Sequence, residues 1–327
     1  GYLLYSLCGA HMGLTPELIE RAAGAISPAF LNTPVAHSEG LDGVLGVQAY
    51  LKVETLTPIR SFKGRGADYL VQCMKDVAPN GVVCASAGNF GQGIAWAGRA
   101  HGVPVTVFAA TNANPLKLDA MRGFGAVVVT VGSDLDEAKA AADAHAKETG
   151  KKFLIDGMHD EGAAGAGTMA LELTRDHAPF DVVLVPIGNG ALVNGIGTWM
   201  KAHSPETQVI AVAASGAPCM EMSWRENALV ETQSVDTIAD GLAVRVPVAE
   251  ALAHMRKTTD DFLLVSDETM QKSVRLLFDH VGLMVEPSGA IGIGAMIEHV
   301  EKFEKKRVAT VLCGGNVTRE QAQEWLF

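Results

Sequence analysis

The sequence predicts an α/β protein in which twisted parallel sheets carry helices on both faces. Short apolar segments with strand character alternate with helix-compatible segments along most of the chain, which is the pattern of a parallel sheet with crossover helices. The 35 glycines among 327 residues suit a fold with many tight strand-to-helix turns. A hydrophobic fraction of 48% argues against disorder. The length suffices for a large core divided between two lobes.

The first half begins with a helix and then alternates regularly. Thr15 is placed to cap a helix that starts at Pro16 and reaches about Ala25. A strand at 48–54 leads into a helix at 66–77. Strands are then predicted at 82–85, 103–109, 126–131 and 153–155, with helices from the turn 86–93 to 100, over 115–123 and from 134 to 150.

The second half continues the same alternation without sequence repeats. Helices are predicted at 165–175, from 192 to 202, at 267–278 and from 288, with strands at 182–185, 209–214 and 308–312. We expect residues 12–69 and 159–327 to form a large domain and residues 70–158 a small one. Residues 1–11 are expected to be a vector-derived tail, because His11-Met12 is typical of a cloning junction. The short segment after Asn316 is expected to leave no room for a regulatory domain.

Charge and cysteine usage limit the partners that the protein can bind and the cellular setting in which it works. A formal net charge of −11 disfavours nucleic acid and anionic membranes. No apolar run approaches the ~20 residues that span a bilayer. The five cysteines are scattered without CxxC spacing, which favours a reduced, cytoplasmic setting. The ten histidines show no paired spacing, so no zinc site is expected.

Lys63 is the first candidate for chemistry. It lies between Phe62 and Gly64 where a helix begins, and the helix dipole disfavours a cation there. That setting favours a neutral, nucleophilic amine. The alternative is a solvated basic patch formed with Arg60 and Arg65, and this stretch alone does not decide between the two.

Three glycine- and asparagine-rich turns follow predicted strands, at 86–93, 188–191 and 313–316. Ligands of parallel α/β sheets bind beyond the carboxyl ends of the strands. The turn 188–191 offers backbone N–H groups at a helix start with little side-chain bulk, as a phosphate site requires. A dinucleotide site is disfavoured, because no acidic residue follows about twenty positions later.

Taken in order, the motifs resemble those of the fold-type-II pyridoxal-phosphate enzymes, the tryptophan synthase β family, and its threonine and serine dehydratases in particular. The resemblance covers nearly all of residues 30–317. The matching segments are SFKGRGA at 61–67, SAGN at 86–89, GNGA at 188–191, ADGLAV at 239–244, EPSGA at 286–290 and CGGN at 313–316.

The resemblance implies a two-lobed fold with pyridoxal 5'-phosphate bound in the large domain. Lys63 would be the catalytic residue, as Schiff-base lysine and base at Cα. The implied coenzyme-binding residues are Phe62, Lys63, Asn89, Gly188, Asn189, Gly190, Ala191, Leu192, Gly241, Glu286, Cys313 and Gly314. The implied substrate-binding residues are Ser86, Ala87, Gly88, Asn89 and Phe90.

Departures from the family pattern indicate which reaction to expect. Racemases of the family carry a serine where this chain has Ala87, which cannot move a proton. The positions that bind a divalent cation in some members fall near Ala213 and Pro218, so no metal is expected. Gly64 and the pair Ser86-Ala87 fit dehydratases better than cysteine synthases.

We therefore expect a catabolic ammonia-lyase that converts a β-hydroxy-α-amino acid, such as L-threonine or L-serine, to a 2-oxo acid and ammonia. Phe90, Asn189 and Ala191 depart from the usual dehydratase residues. They leave open a bulkier substrate, such as 3-phenylserine or a 3-hydroxy amino acid derived from hydroxyectoine. A serine racemase, a β-replacement synthase of the family and a non-catalytic nucleotide-binding module also remain open. The resemblance implies a homodimer, and His159 and Asp160 are further candidates for lining the cleft.

Overall fold

Two sheets organise the molecule, and the computed structural model describes residues 13–327. The larger sheet has the strand order β1-β2-β10-β7-β8-β9. Its strands are β1 (Val35–His37), β2 (Gln48–Val53), β7 (Val182–Pro186), β8 (Gln208–Ala214), β9 (Asp261–Val265) and β10 (Arg307–Leu312). All its pairs are parallel except β1 with β2, which is antiparallel.

The smaller sheet has the order β5-β4-β3-β6 and is parallel throughout. Its strands are β3 (Val82–Ala85), β4 (Val105–Ala109), β5 (Val127–Thr130) and β6 (Lys152–Leu154). Because these four strands are consecutive in sequence, the small sheet forms from one continuous stretch of chain.

Helices connect the strands and cover the sheets. In the first half they are α1 (Pro16–Ala25), α2 (Glu39–Leu45), α3 (Lys63–Met74), α4 (Asn89–His101), α5 (Pro115–Gly123), α6 (Leu135–Thr149) and α7 (Asp160–Asp176). In the second half they are α8 (Ala191–His203), α9 (Cys219–Glu226), α10 (Ala249–Thr258), α11 (Asp267–Val281), α12 (Pro287–Glu298), α13 (Val300–Phe303) and α14 (Arg319–Leu326). A short 3-10 helix spans Asp240–Leu242.

Both faces of the large sheet are buried. In β7, Val183 and Val185 pack into the core on one face, while Val182 and Leu184 pack into the core on the other. A strand buried on both faces reads as a continuous apolar run, and that explains why β7 was predictable. The expected α/β fold with parallel sheets and helices on both faces is confirmed.

Several boundaries differ from those predicted. Helix α3 begins at Lys63 and not at residue 66, and α7 begins at Asp160 and not at residue 165. The glycines in these first turns read as breakers in the sequence, but they allow close packing: a Cβ on Gly66 would overlap the backbone of Gly162. The edge strands β1 and β9 and the helices α2, α9, α10, α13 and α14 were not predicted.

The proposed domain boundaries remain a prediction. The first, between residues 69 and 70, lies inside α3, while the second, between 158 and 159, lies in the loop between β6 and α7. The predicted vector-derived tail, residues 1–11, lies outside the described residues. In the described part of the chain, no helix is long and apolar enough to cross a membrane.

Candidate active site

The segment that carries Lys63 is fixed to the end of β10. Ser61 forms an isolated antiparallel bridge with Gly314. The Phe62 N–H and the Ser61 hydroxyl both donate to the Cys313 carbonyl oxygen, each over 3.0 Å. These contacts place Lys63, the first residue of α3, at the carboxyl edge of the large sheet.

The Lys63 amine is surrounded by a carboxylate and two aromatic rings. Its Nζ donates to both carboxylate oxygens of Asp156, over 2.6 and 2.8 Å. The same Nζ lies 5.1 Å from the ring centre of Phe62 and 5.8 Å from that of Phe90. The Asn189 amide completes the group by donating to Asp156 over 3.4 Å.

Sequence reasoning missed Asp156. It follows the short strand β6, 93 residues after Lys63. Its position in the sequence could have identified it. An acidic residue just beyond the carboxyl end of a parallel strand lies on the side of the sheet where ligands bind.

Hydrogen bonds to Ser86 fix the conformation of the loop 86–93 at the start of α4. The Ser86 hydroxyl oxygen accepts from the N–H groups of Gly88 and Gly91, over 3.2 and 3.1 Å. The N–H groups of Asn89 and Phe90 belong to the first turn of α4, where no intrahelical acceptor exists. This arrangement suits the binding of a carboxylate.

Asn89 connects that loop with two distant segments. Its side-chain amide donates to Glu286 over 3.0 Å, and its carbonyl oxygen accepts from Asn316 over 2.8 Å. Glu286 is itself tied to the end of β10, since its N–H donates to the Gly314 carbonyl oxygen over 2.9 Å. Two of the three predicted turns, 86–93 and 313–316, are therefore in direct contact.

Glu286 is buried and incompletely bonded. Burial raises the pKa of its carboxyl group, and the nearby Lys117 ammonium partly opposes that shift. Its Oε1 lies 3.7 Å from Lys117 Nζ and makes no hydrogen bond within residues 13–327. Lys117 in turn donates to Asp240, in the 3-10 helix, over 2.5 Å. An orphaned acceptor of this kind indicates space for a polar partner.

The third turn, 188–191, forms a glycine cradle at the start of α8. Gly190 has φ +102°, a conformation that favours glycine, and α8 has no side-chain cap. A Cβ on Gly188 would lie 2.7 Å from the Gly241 carbonyl oxygen, so only glycine allows this approach. The first-turn N–H groups of Ala191 and Leu192 lack helical acceptors and are available to a phosphate.

Cys313 directly follows β10 and is a buried neutral thiol. Burial raises the pKa of this thiol, and the neighbouring Glu286 carboxylate raises it further. The side chain therefore carries no charge at neutral pH. Together with the Lys63 amine, the cradle and the orphaned Glu286 oxygen, a neutral thiol fits the groups of pyridoxal phosphate as the sequence resemblance implied.

Several segments that are distant in sequence line the cleft beside Lys63. Its lining includes Phe62, Phe90, Asp156, His159 and Ala191. His159 Nε2 accepts from the Ile155 N–H over 3.3 Å, and burial lowers the pKa of the ring. Asp160, the other predicted cleft residue, is exposed at the start of α7.

Comparisons with known proteins agree with this geometry. The model of the family described as pyridoxal-phosphate dependent enzyme matches residues 26–314. An L-threonine ammonia-lyase of Thermotoga maritima is 33% identical over 305 residues, which cover 93% of this chain and 76% of that protein.

Two solved structures are similar over almost the whole chain. The processed form of threonine deaminase isoform 2 from Solanum lycopersicum has a TM-score of 0.88 at 28% identity. The match covers 96% of this chain and 88% of the tomato chain. Maize serine racemase has a TM-score of 0.89 at 26% identity, with 95% and 96% covered. Because the family model spans most of the sequence, the chain belongs to the pyridoxal-phosphate dependent enzymes, and pyridoxal 5'-phosphate is its coenzyme.

Proposed function

We propose that the chain is a lyase that dehydrates and deaminates a β-hydroxy-α-amino acid, with L-threonine or L-serine as the default substrate. The observation that carries the proposal is the convergence of Lys63, the loop 86–93 and the cradle 188–191 on one cleft. The curated relative from Thermotoga maritima, an L-threonine ammonia-lyase, supports it.

Lys63 is proposed to act first as the anchor of the coenzyme and then as the base. Bound pyridoxal phosphate withdraws electrons from Cα of the amino acid and so makes the Cα proton acidic. The Lys63 amine, once freed, takes that proton as a general base. The cradle 188–191, together with the Leu192 N–H group, would hold the phosphate, and Gly241 would form one wall of this phosphate site.

The start of α4 is proposed to bind the substrate carboxylate. The N–H groups of Asn89 and Phe90 point out of the first turn, and Ser86 holds the loop in shape by accepting two of its N–H groups. Ala87 and Gly88 add no side-chain bulk that would obstruct the carboxylate. Fixing this carboxylate sets the direction of the Cα proton relative to Lys63.

Cys313 and Glu286 are proposed to flank the coenzyme ring. The neutral Cys313 thiol would face the ring nitrogen without offering a negative charge, and that favours prompt loss of the β-substituent. Within the described residues, Glu286 Oε1 makes no hydrogen bond and lies 3.7 Å from Lys117 Nζ, while the Asn89 amide donates to Oε2.

Ala87 favours a lyase over a racemase. A racemase needs proton transfer on both faces of Cα, and the methyl group of Ala87 cannot take part. This matters because a serine racemase is among the structures that the chain resembles.

The direct test is to incubate the coenzyme-loaded enzyme with L-threonine or L-serine alone. Equal amounts of 2-oxo acid and ammonia are the expected result. Formation of a β-substituted amino acid in place of the 2-oxo acid, once a second nucleophile is added, would favour a β-replacement synthase. Formation of D-serine as the main product would favour a racemase.

The proposal also includes the assembly and the setting of the enzyme. We propose a homodimer, which the family resemblance supports, and a cytoplasmic setting, which the scattered cysteines without CxxC spacing favour. Light scattering of the purified protein tests the dimer, and cell fractionation tests the location.

A further inference from the structure

The position of Lys63 Nζ has the features of a binding site for a cation. Asp156 supplies two oxygens at 2.6 and 2.8 Å, and the faces of Phe62 and Phe90 lie 5.1 and 5.8 Å away. A carboxylate and aromatic faces are the two groups that attract an ammonium ion most strongly. The Asp156 side chain is only 25% exposed, so water compensates its charge incompletely.

Lys63 has to be neutral to act as the base at Cα, so at that stage it no longer supplies the cation that this carboxylate pairs with. Among residues 13–327, the other hydrogen bond to Asp156 comes from the Asn189 amide, and at 3.4 Å it is long and uncharged. A partly buried carboxylate with one weak partner costs free energy. A ligand that brings an ammonium group to this point would regain that free energy.

We propose that Asp156 selects a substrate with a second amino group, namely a β-hydroxy-α-amino acid that carries an amine on the carbon beyond the hydroxyl-bearing one. The inference rests on the proposed dehydratase function and specifies its substrate class. The α-carboxylate binds at the start of α4, Cα faces Lys63, and the side-chain ammonium pairs with Asp156 between Phe62 and Phe90.

Apolar side chains suit this cleft less well. A methyl or phenyl group beside Asp156 would leave the carboxylate without a donor, although it would contact the two rings favourably. The charge therefore discriminates against 3-phenylserine more strongly than the rings favour it.

The reaction is balanced with no further reactant than water. The Cα–H and Cβ–O bonds break, and Lys63 receives the Cα proton and returns it to the departing hydroxyl, which leaves as water. Water then hydrolyses the released enamine, so 2,4-diamino-3-hydroxybutanoate gives 4-amino-2-oxobutanoate and one ammonia. The side-chain amine is retained.

The test compares two substrates of nearly equal shape. These are 2,4-diamino-3-hydroxybutanoate and 3-hydroxynorvaline, in which a methyl group replaces the side-chain amine. The holoenzyme is expected to show kcat/KM at least about tenfold higher for the diamino acid, the scale of one charge-assisted hydrogen bond. The Asp156→Asn variant is expected to lose this preference, whatever its absolute rate.

A binding measurement gives a readout that does not depend on turnover. Calorimetry with 2,4-diaminobutyrate and norvaline, which lack the β-hydroxyl, is expected to show tighter binding of the diamino acid to the wild type and not to Asp156→Asn. Asp160→Asn is the matched control, because Asp160 is an exposed carboxylate four residues away. It is expected to keep the preference.

The outcomes separate the two proposals. Turnover of 3-hydroxynorvaline and threonine without a preference for the diamino acid overturns the inference and leaves the dehydratase standing. A preference that survives Asp156→Asn also overturns it. Absence of 2-oxo acid from every β-hydroxy amino acid overturns the dehydratase itself.

Discussion

At the scale of single residues, the site depends on buried groups whose charge is set by their neighbours. Glu286 and Cys313 are buried side by side, and burial keeps the thiol neutral. Asp156, by contrast, is partly exposed and pairs with the Lys63 amine. The candidate site therefore combines two buried side chains, one of them a neutral thiol, with one partly exposed carboxylate.

Glu286 leads to a prediction about pH. Burial raises the pKa of Glu286 in the folded protein above 4.5. Since the unfolded chain loses this proton at lower pH, stability falls as pH rises from 4.5 toward the folded-state pKa. The wild type is therefore expected to lose stability relative to Glu286→Gln between pH 4.5 and neutral pH, in urea titrations of the coenzyme-free protein. If the stability difference between the wild type and Glu286→Gln does not change with pH, the raised pKa of Glu286 is wrong.

At the scale of elements, helix starts carry the site. Helices α3, α4 and α8 all begin at the carboxyl edges of the sheets, and they present Lys63, the loop 86–93 and the cradle 188–191. None of these three helices has a side-chain cap at its N-terminus. In α4 and α8, the first-turn N–H groups of Asn89, Phe90, Ala191 and Leu192 are therefore available to ligands.

Adding a single methyl group to the cradle, in the variant Gly190→Ala, is expected to weaken coenzyme binding. Gly190→Ala would place a Cβ at φ +102° and 2.9 Å from the Ala251 Cβ, with a backbone cost of about 1–2 kcal/mol. We expect coenzyme affinity to fall about tenfold, measured by titration of the apoenzyme with pyridoxal phosphate.

Gly282→Ala is the control for that variant. Gly282 also has a positive φ, +72°, but it ends α11 and a Cβ there meets nothing within 4 Å. It is expected to lower stability and to leave coenzyme affinity unchanged. Equal losses of affinity in both variants would mean that the cradle has no special role.

At the scale of the whole molecule, a buried ion network holds the lysine-bearing helix in place. The Arg65 guanidinium, in α3, donates to Glu54 over 2.9 and 2.8 Å and to Glu172 over 2.7 and 3.0 Å. Lys52 pairs with Glu172 over 2.5 Å, and all four side chains are at most 3% exposed. The network links β2, α3 and α7, and so it fixes Lys63 relative to the large sheet.

Breaking this network is expected to destabilise the protein strongly. Arg65→Met leaves two carboxylates buried with one ammonium, and removal of one partner of a buried pair costs about 3–5 kcal/mol. Arg175→Met, which removes an exposed pair with Asp176, is the control and is expected to cost at most about 1 kcal/mol. Chemical denaturation of both variants measures the difference, and equal losses would contradict the structural role of the network.

The sequence predicted local structure better than it predicted distant contacts. The strands β3, β7 and β10 and the helices α1, α5 and α6 were found within two residues because apolar periodicity and caps such as Thr15 are local signals. Family motifs identified Lys63 and the cradle. Asp156 and the Arg65 network depend on contacts across about 90 to 110 residues, which no local pattern records.

The central claim is that Lys63 is the amine that binds the coenzyme. Borohydride reduction of the holoenzyme, followed by digestion and mass mapping, tests it most directly. We expect the reduced coenzyme to be attached to the peptide containing Lys63, and we expect Lys63→Ala to fold normally but to be neither labelled nor active. Labelling of another lysine, or full activity of Lys63→Ala, would contradict this claim.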